Sequence, residues 1–128
     1  MNLDELEKHL DKGEQWGVRK ATDSTDYLGW MLIAKRKPPT VWPRNTYSDP
    51  SLYSRLTDLA RDISEKPYHV RVIELRRDVH ESDKYERAED YRQNDNYYFE
   101  TLNEVEKLFE QLGSGLNDIK FRGELDAP

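Results

Sequence analysis

The sequence predicts an α+β fold, in which an antiparallel or mixed sheet of about four strands carries helices mainly on one face. Stretches with apolar residues at helical spacing are separated by stretches rich in aromatic and β-branched residues. Their order is helix, strand, strand, helix, strand, strand and helix, which is typical of α+β layering. With 128 residues, we expect a single domain over 1–128 that carries a polar insertion at about 77–95.

The composition is that of a folded but unusually polar domain. Charged residues make up 36% of the chain, against about 25% in typical proteins, and hydrophobic residues only 35%. So low an apolar fraction can indicate disorder. Three tryptophans, eight tyrosines and three phenylalanines argue against disorder, because aromatic side chains provide a large packing area per residue.

The first predicted helix begins after Asn2, a common capping residue type, and ends before Gly13. Its apolar stripe comprises Leu3, Leu6 and Leu10. Two strands are predicted over 16–22 and 27–36, joined by the turn DSTD. The second strand has apolar residues on both faces, so we expect it at the centre of the sheet.

Prolines in the stretch KPPTVWP predict a loop, and a second helix follows it. Ser48 or Asp49 caps this helix, and Pro50 suits its first position. We expect a buried stripe of Leu52, Leu56, Leu59 and Ile63. A third strand is predicted over 68–76, with a change of apolar phase at Val72 and Ile73 that indicates a bulge or burial on both faces.

A short aromatic strand in NYYFE precedes the last predicted helix. Thr101 and Glu104 have the spacing of a capping box, and Gly113 ends the helix. In the tail, the apolar residues are sufficient for an edge strand or a packed extension; they are Leu116, Ile119 and Phe121.

The polar segment RRDVHESDKYERAEDYRQND separates two predicted strands. Between Arg77 and Asp95 it holds seven acidic and four basic residues. One interpretation is a solvated loop, or a helix over 82–92 capped by Ser82 or Asp83. The other is a surface that contacts a basic partner protein, because tyrosine supplies contact area and acidic groups accelerate association. The predicted contact residues are Asp78, Glu81, Asp83, Tyr85, Glu86, Glu89, Asp90 and Tyr91.

A basic and aromatic cluster provides an alternative site. It comprises Lys35, Arg36, Lys37, Trp42 and Arg44. Such a cluster can hold a nucleic-acid backbone and stack a base, or it can simply keep a sheet edge soluble. The net charge of −6 opposes binding to phosphate, so nucleic acid is the second choice of partner.

Other classes of site receive little support from the sequence. The cluster of Asp78, His80 and Asp83 lies in one loop and does not by itself indicate a metal site. No catalytic constellation is recognisable, so we expect a non-enzymatic protein without cofactor or metal. The chain has no cysteine, no apolar run of about 18 residues and no signal-peptide pattern, which predicts a cytoplasmic protein without a membrane span.

The segment YYFETLNEVEKLFEQLG, in an acidic α+β chain without cysteine, resembles small bacterial toxin-immunity proteins, including those of contact-dependent growth inhibition. The resemblance implies a protein that binds a toxin domain, often a basic nuclease, and occludes its active site. We therefore expect a protein-binding module of the immunity or inhibitor kind. Self-association through an apolar stripe is a third possibility, and the oligomeric state stays open.

Overall fold

The computed structural model of the chain describes residues 1–38, 48–82 and 85–128. Within these residues, four helices and five strands form the fold. They are α1 (Leu3–Asp11), β1 (Trp16–Lys20), β2 (Tyr27–Lys35), α2 (Pro50–Glu65), β3 (Tyr68–Arg76), α3 (Arg77–Glu81), β4 (Tyr91–Phe99), α4 (Leu102–Gln111) and β5 (Lys120–Phe121). Among the helices of these residues, none combines the length and apolar character needed to cross a bilayer.

The five strands form one open sheet in the order β4-β3-β2-β1-β5, and every neighbouring pair is antiparallel. The predicted α+β class is confirmed, with five strands instead of about four. The additional strand comes from the tail, where Lys120 and Phe121 pair with Gly17 and Trp16. The tail thus supplies a short edge strand beside β1.

One face of the sheet packs against α1 and α4. Leu6 of α1 and Phe109 of α4 are fully buried there, against residues of β1, β2 and β3. Burying a side chain of this size contributes about 1.5–3 kcal/mol. The first core comprises Leu6, Leu10, Val18, Met31, Ile33, Tyr68, Val70, Val72, Leu102, Val105, Phe109 and Ile119.

The opposite face carries a smaller core beneath α3 and the C-terminal residues. Trp30 is fully buried there, and its indole N–H donates to the carbonyl of Leu125 at 2.9 Å. The second core comprises Leu28, Trp30, Leu32, Ile73, Leu75, Val79 and Leu125. Because β2 contributes to both cores, its predicted central position with cover on both faces is confirmed.

The helix ends follow the capping residues that the sequence indicates. Asn2 accepts a hydrogen bond from the Glu5 amide at 2.8 Å, and Asp49 caps α2 with Pro50 in the first turn. After α1, Gly13 adopts a φ of 85°, a left-handed conformation that favours glycine. These local signals place α1 and α2 correctly, whereas α3, which has no side-chain cap, was not predicted.

The predicted buried stripe of α2 is only partly right. Ile63 is buried, but Leu59 is 45% exposed, and Leu52 and Leu56 are half-buried. None of the four belongs to either core, because α2 does not pack across the sheet as α1 and α4 do.

The polar segment at 77–95 is not one insertion. It begins as α3, contains a short 3-10 turn at Ala88–Asp90, and ends as the first half of β4. The helix over 82–92, one of the alternatives given for this segment, is therefore excluded, because the backbone from Tyr91 onward pairs with β3. Of the two alternatives for the phase change at Val72 and Ile73, burial on both faces is confirmed, because Val72 belongs to the first core and Ile73 to the second. A register irregularity also occurs, but between Glu74 and Leu75.

Candidate functional site

Strand β4 is exposed to an unusual degree for a strand. Five successive residues, 94–98, are exposed, so solvent reaches both faces of the strand. Tyr97 and Tyr98, which point to opposite faces, are 38% and 44% exposed. As the last strand of the sheet, β4 also leaves its outer edge without a partner strand in the described chain. Its surroundings are the best candidate for a functional surface.

A group of polar and aromatic side chains occupies one face of β3 and β4, and we call it the open sheet face. Its members are Arg36, His69, Arg71, Tyr91, Asn94, Asn96 and Tyr98. The register sets these side chains beside one another: His69 lies opposite Tyr98, and Arg71 opposite Asn96. Antiparallel strands bring such cross-strand neighbours into direct contact.

At one end of the open sheet face, Tyr98 is held between two partners. Its ring stacks on His69 with centroids 5.1 Å apart, and the Arg36 guanidinium lies 4.3 Å from its centroid. The imidazole nitrogen Nε2 of His69 lies 2.7 Å from Oδ1 of Asn96. These contacts fix the ring of Tyr98 while leaving much of it exposed.

At the other end, Arg71 and Tyr91 form a second cation–ring pair. The guanidinium lies 5.5 Å from the centroid of Tyr91 and donates from Nε to Asn94 Oδ1 at 3.0 Å. The Tyr91 hydroxyl donates to Glu86 at 2.7 Å. Burial and this carboxylate raise the pKa of Tyr91, so its hydroxyl keeps its proton at neutral pH. Arginine over a tyrosine ring is a favourable cation–π arrangement.

The predicted acidic contact residues form a surface of mixed charge rather than a purely acidic one. Asp78 pairs with Arg76 at 2.8 Å, and Glu81 pairs with Arg77 at 3.3 Å. Both acidic residues line an open cleft of about 470 Å³ beside the β1–β2 turn. These carboxylates are therefore already neutralised within the chain.

Asp90 does not lie on the surface as predicted. Its side chain is buried and accepts a hydrogen bond from the backbone amide of Arg87 at 2.9 Å, which caps the short 3-10 turn. A buried carboxylate with a structural hydrogen bond is not available to a partner. Glu89, by contrast, is exposed and lies 3.6 Å from the Arg87 guanidinium.

The remaining predicted contact residues differ in accessibility. Tyr85 is 94% exposed, the most open aromatic side chain of the described chain. Tyr91 is half-buried against the second core, and Glu86 binds its hydroxyl. Asp83 lies outside the described residues. Tyr91 thus belongs to the open sheet face, and Glu86 lies at its border.

The basic cluster is also engaged within the chain. Lys35 lies 2.6 Å from both Asp11 and Glu7, and these two hydrogen bonds raise its pKa despite partial burial. Arg36 pairs with Asp62 at 2.9 Å. The third described cation, Lys37, donates to the carbonyl oxygen of Asp11 at 2.8 Å. Trp42 and Arg44 lie outside the described residues.

One buried charge network was not predicted from the sequence. Glu74 on β3 is only 5% exposed and accepts from Lys20 Nζ at 2.7 Å and from Arg92 Nε at 2.9 Å. Burial opposes ionisation of Glu74, but the hydrogen bonds from Lys20 and Arg92 outweigh it and lower its pKa. Arg92 also pairs with Asp23 at 2.7 Å and lies over the ring of Tyr27. The network links β1, the β1–β2 turn, β3 and β4 through charged side chains, and so it stabilises the fold.

The cluster that includes His80 does not form a metal site in the described chain. His80 Nε2 lies 3.2 Å from Asp126, and its ring contacts the indole of Trp30. Across residues 1–38, 48–82 and 85–128, no group of three or more metal-binding side chains converges.

Comparisons of the chain with protein-family models, with curated proteins and with solved structures give no match. The candidate site is therefore defined by its geometry. The open sheet face was missed in the sequence, although a signal for it exists: His69 and Arg71 alternate with buried Val70 and Val72, which indicates a polar face on β3.

Proposed function

We propose that this chain is a non-enzymatic protein-binding module whose contact surface is centred on the open sheet face. The observation that carries the proposal is the exposure of residues 94–98 on a strand whose neighbouring tyrosine and arginine side chains are held in place. Tyrosine and arginine are enriched at the energetic centres of protein interfaces.

The fixed geometry of the tyrosines supports this role. The stacking of Tyr98 on His69 and the hydrogen bond from Tyr91 to Glu86 restrict both rings before any partner arrives. Binding then costs less side-chain entropy, because about 0.5–1.5 kcal/mol is otherwise lost for each immobilised flexible side chain. The exposed Glu86 borders this surface, and together with the net charge of −6 it would steer a basic partner.

A cytoplasmic inhibitor of a basic toxin domain is one binder of this kind, and it remains our proposal for the biological role. In such a complex the partner lies against the open sheet face, and occlusion blocks the toxin. Association should slow steeply with added salt, because screening weakens steering between exposed charges. Reversing the charge of Glu86 should lower the association rate more than it raises the dissociation rate.

Site-specific photo-crosslinking in cells tests the proposal. Benzoylphenylalanine at the position of Tyr98 should give one discrete protein adduct, and at the exposed Lys107 on α4 it should not. Tyr98→Ala should then weaken binding of the identified partner by at least about tenfold, the effect of a 1.4 kcal/mol contact. Equal adducts at both positions, or none at the position of Tyr98, would refute the proposed surface.

A further inference from the structure

The outer edge of β4 has the properties of a strand-binding site. β4 is the last strand of the sheet, and residues 93–99 keep a regular register with β3. In an antiparallel strand, alternate residues direct their N–H and C=O groups away from the existing neighbour. Natural edge strands are commonly blunted by proline or lysine, and β4, with the sequence YRQNDNYYF, contains neither.

The middle of this edge carries a negative charge that has no cationic partner among the described residues. Asp95 is exposed and accepts a hydrogen bond from the Gln93 side-chain amide at 2.8 Å. No lysine or arginine of the described chain lies within ion-pair distance of it. Tyr97 lies on the same face, and its ring stacks on Phe99 with centroids 6.4 Å apart. A segment added here would meet a carboxylate flanked by an aromatic ring.

A second copy of the chain fits this edge poorly. In the two-fold antiparallel register that pairs all nine residues of β4 with their copies, Asp95 lies opposite Asp95. Like charges directly opposite each other destabilise a strand pair. The net charge of −6 on each copy adds to this repulsion. The same charges favour a positively charged segment.

We propose that the outer edge of β4 binds an extended segment of the partner protein as an added antiparallel strand, with a lysine or arginine of that segment opposite Asp95. This inference rests on the proposed function and deepens it by specifying the partner's chemistry. Main-chain hydrogen bonds supply the affinity in this mode of recognition, and pockets and charges on alternate positions supply the specificity.

Two synthetic peptides of the β4 sequence, residues 91–99, test the inference on the full chain. One carries Asp95→Lys and the other keeps Asp95, so that only the charge opposite the protein's Asp95 differs. The lysine peptide should slow amide hydrogen exchange along β4 and bind about tenfold more tightly than the native peptide. A third peptide, with Asn94→Pro in addition to Asp95→Lys, should bind more weakly, because proline donates no backbone hydrogen bond.

The charge-swapped protein provides the matched control. Asp95→Lys in the chain should reverse the preference, so that the native peptide becomes the tighter ligand, and Asp95→Asn should abolish the preference. Circular dichroism of both variants verifies that the fold is retained. Equal affinity of the two peptides, or absence of protection along β4 at millimolar lysine peptide, would overturn the inference. A wild-type dimer in sedimentation with a protected β4 edge would also overturn it, since the occupant would be a second copy.

Failure of this inference is distinguishable from failure of the proposed function. A discrete adduct at the position of Tyr98 without slowed exchange at the β4 edge in the complex would mean that the partner binds the face and not the edge. The proposed function would then stand and the strand addition would not.

Discussion

Neutralising Glu74 should destabilise the domain measurably. Glu74→Gln preserves the size of the side chain but removes the charge that balances Lys20, whose side chain is only 13% exposed. Losing one partner of a buried pair typically costs about 3–5 kcal/mol. The amide oxygen of glutamine still accepts a hydrogen bond from Lys20, and a neutral acceptor retains about half the strength of a charged one. We therefore expect a loss of about 2–4 kcal/mol in the free energy of unfolding.

The pH dependence of this loss has a defined sign. Folding lowers the pKa of Glu74 from its ordinary value of 4.5, so the carboxylate contributes its full stabilisation above that pH. The contribution disappears as the pH falls below 4.5 toward the lower pKa of the folded state. The difference between wild type and Glu74→Gln should consequently be largest near neutral pH and shrink in acid.

Urea unfolding followed by tryptophan fluorescence measures both effects, since Trp30 is fully buried. Glu100→Gln, which changes an exposed residue at the end of β4, serves as the matched control and should shift the midpoint little. A loss below about 1 kcal/mol for Glu74→Gln, or a difference that does not decrease in acid, would refute the reasoning, because a buried, paired carboxylate cannot behave in this way.

Three further outcomes follow from individual contacts. Gly17→Ala should cost about 1–3 kcal/mol in urea unfolding, because the new Cβ would lie 2.2 Å from a backbone oxygen of β2. Trp30→Phe should lower the free energy of unfolding by about 2–4 kcal/mol, since it removes buried volume and the hydrogen bond to Leu125. Trp16→Phe should lower it less, because the Trp16 indole N–H has no acceptor in the described chain. Burial and a hydrogen bond to a carboxylate of α1 raise the pKa of Tyr68 to about 12, so ultraviolet titration should show a tyrosine that ionises well above the ordinary pKa of 10.

Sequence patterns predict the elements that depend on local signals. β3 is predicted over 68–76 and observed at Tyr68–Arg76, because Pro67 ends the preceding helix and aromatic and β-branched residues follow. The start of α2 is correct for the same kind of reason, since Asp49 and Pro50 determine the helix start through capping and a fixed φ.

The error at 82–92 has a physical cause. Glu86 and Asp90 have the spacing of one helical turn, and so do Arg87 and Tyr91, which favours a helix on local grounds. In the folded chain, the neighbouring β3 supplies backbone partners from Tyr91 onward, and this pairing overrides the local preference. Local spacing does not contain that information.

The candidate site was even harder to predict from the sequence than the segment at 82–92. His69 and Asn96, which contact each other on the open sheet face, are 27 residues apart in the chain. The neutralisation of Lys35 by Glu7 likewise joins residues 28 positions apart. A cluster of charges in the sequence therefore does not show which charged side chains remain free to bind a partner protein. Ion pairs with residues far away in the chain decide this.

The hydrogen bond between Trp30 and Leu125 has a consequence for how the protein is made. The two residues are 95 positions apart, so during synthesis β2 leaves the ribosome long before Leu125 exists to cover its indole. The nascent chain must expose that apolar side of β2 until residue 125 has been made, and closing so long a loop delays this packing step. Chaperone dependence and aggregation should accordingly be greatest in chains released before residue 125, even when all the residues of the first core have been made.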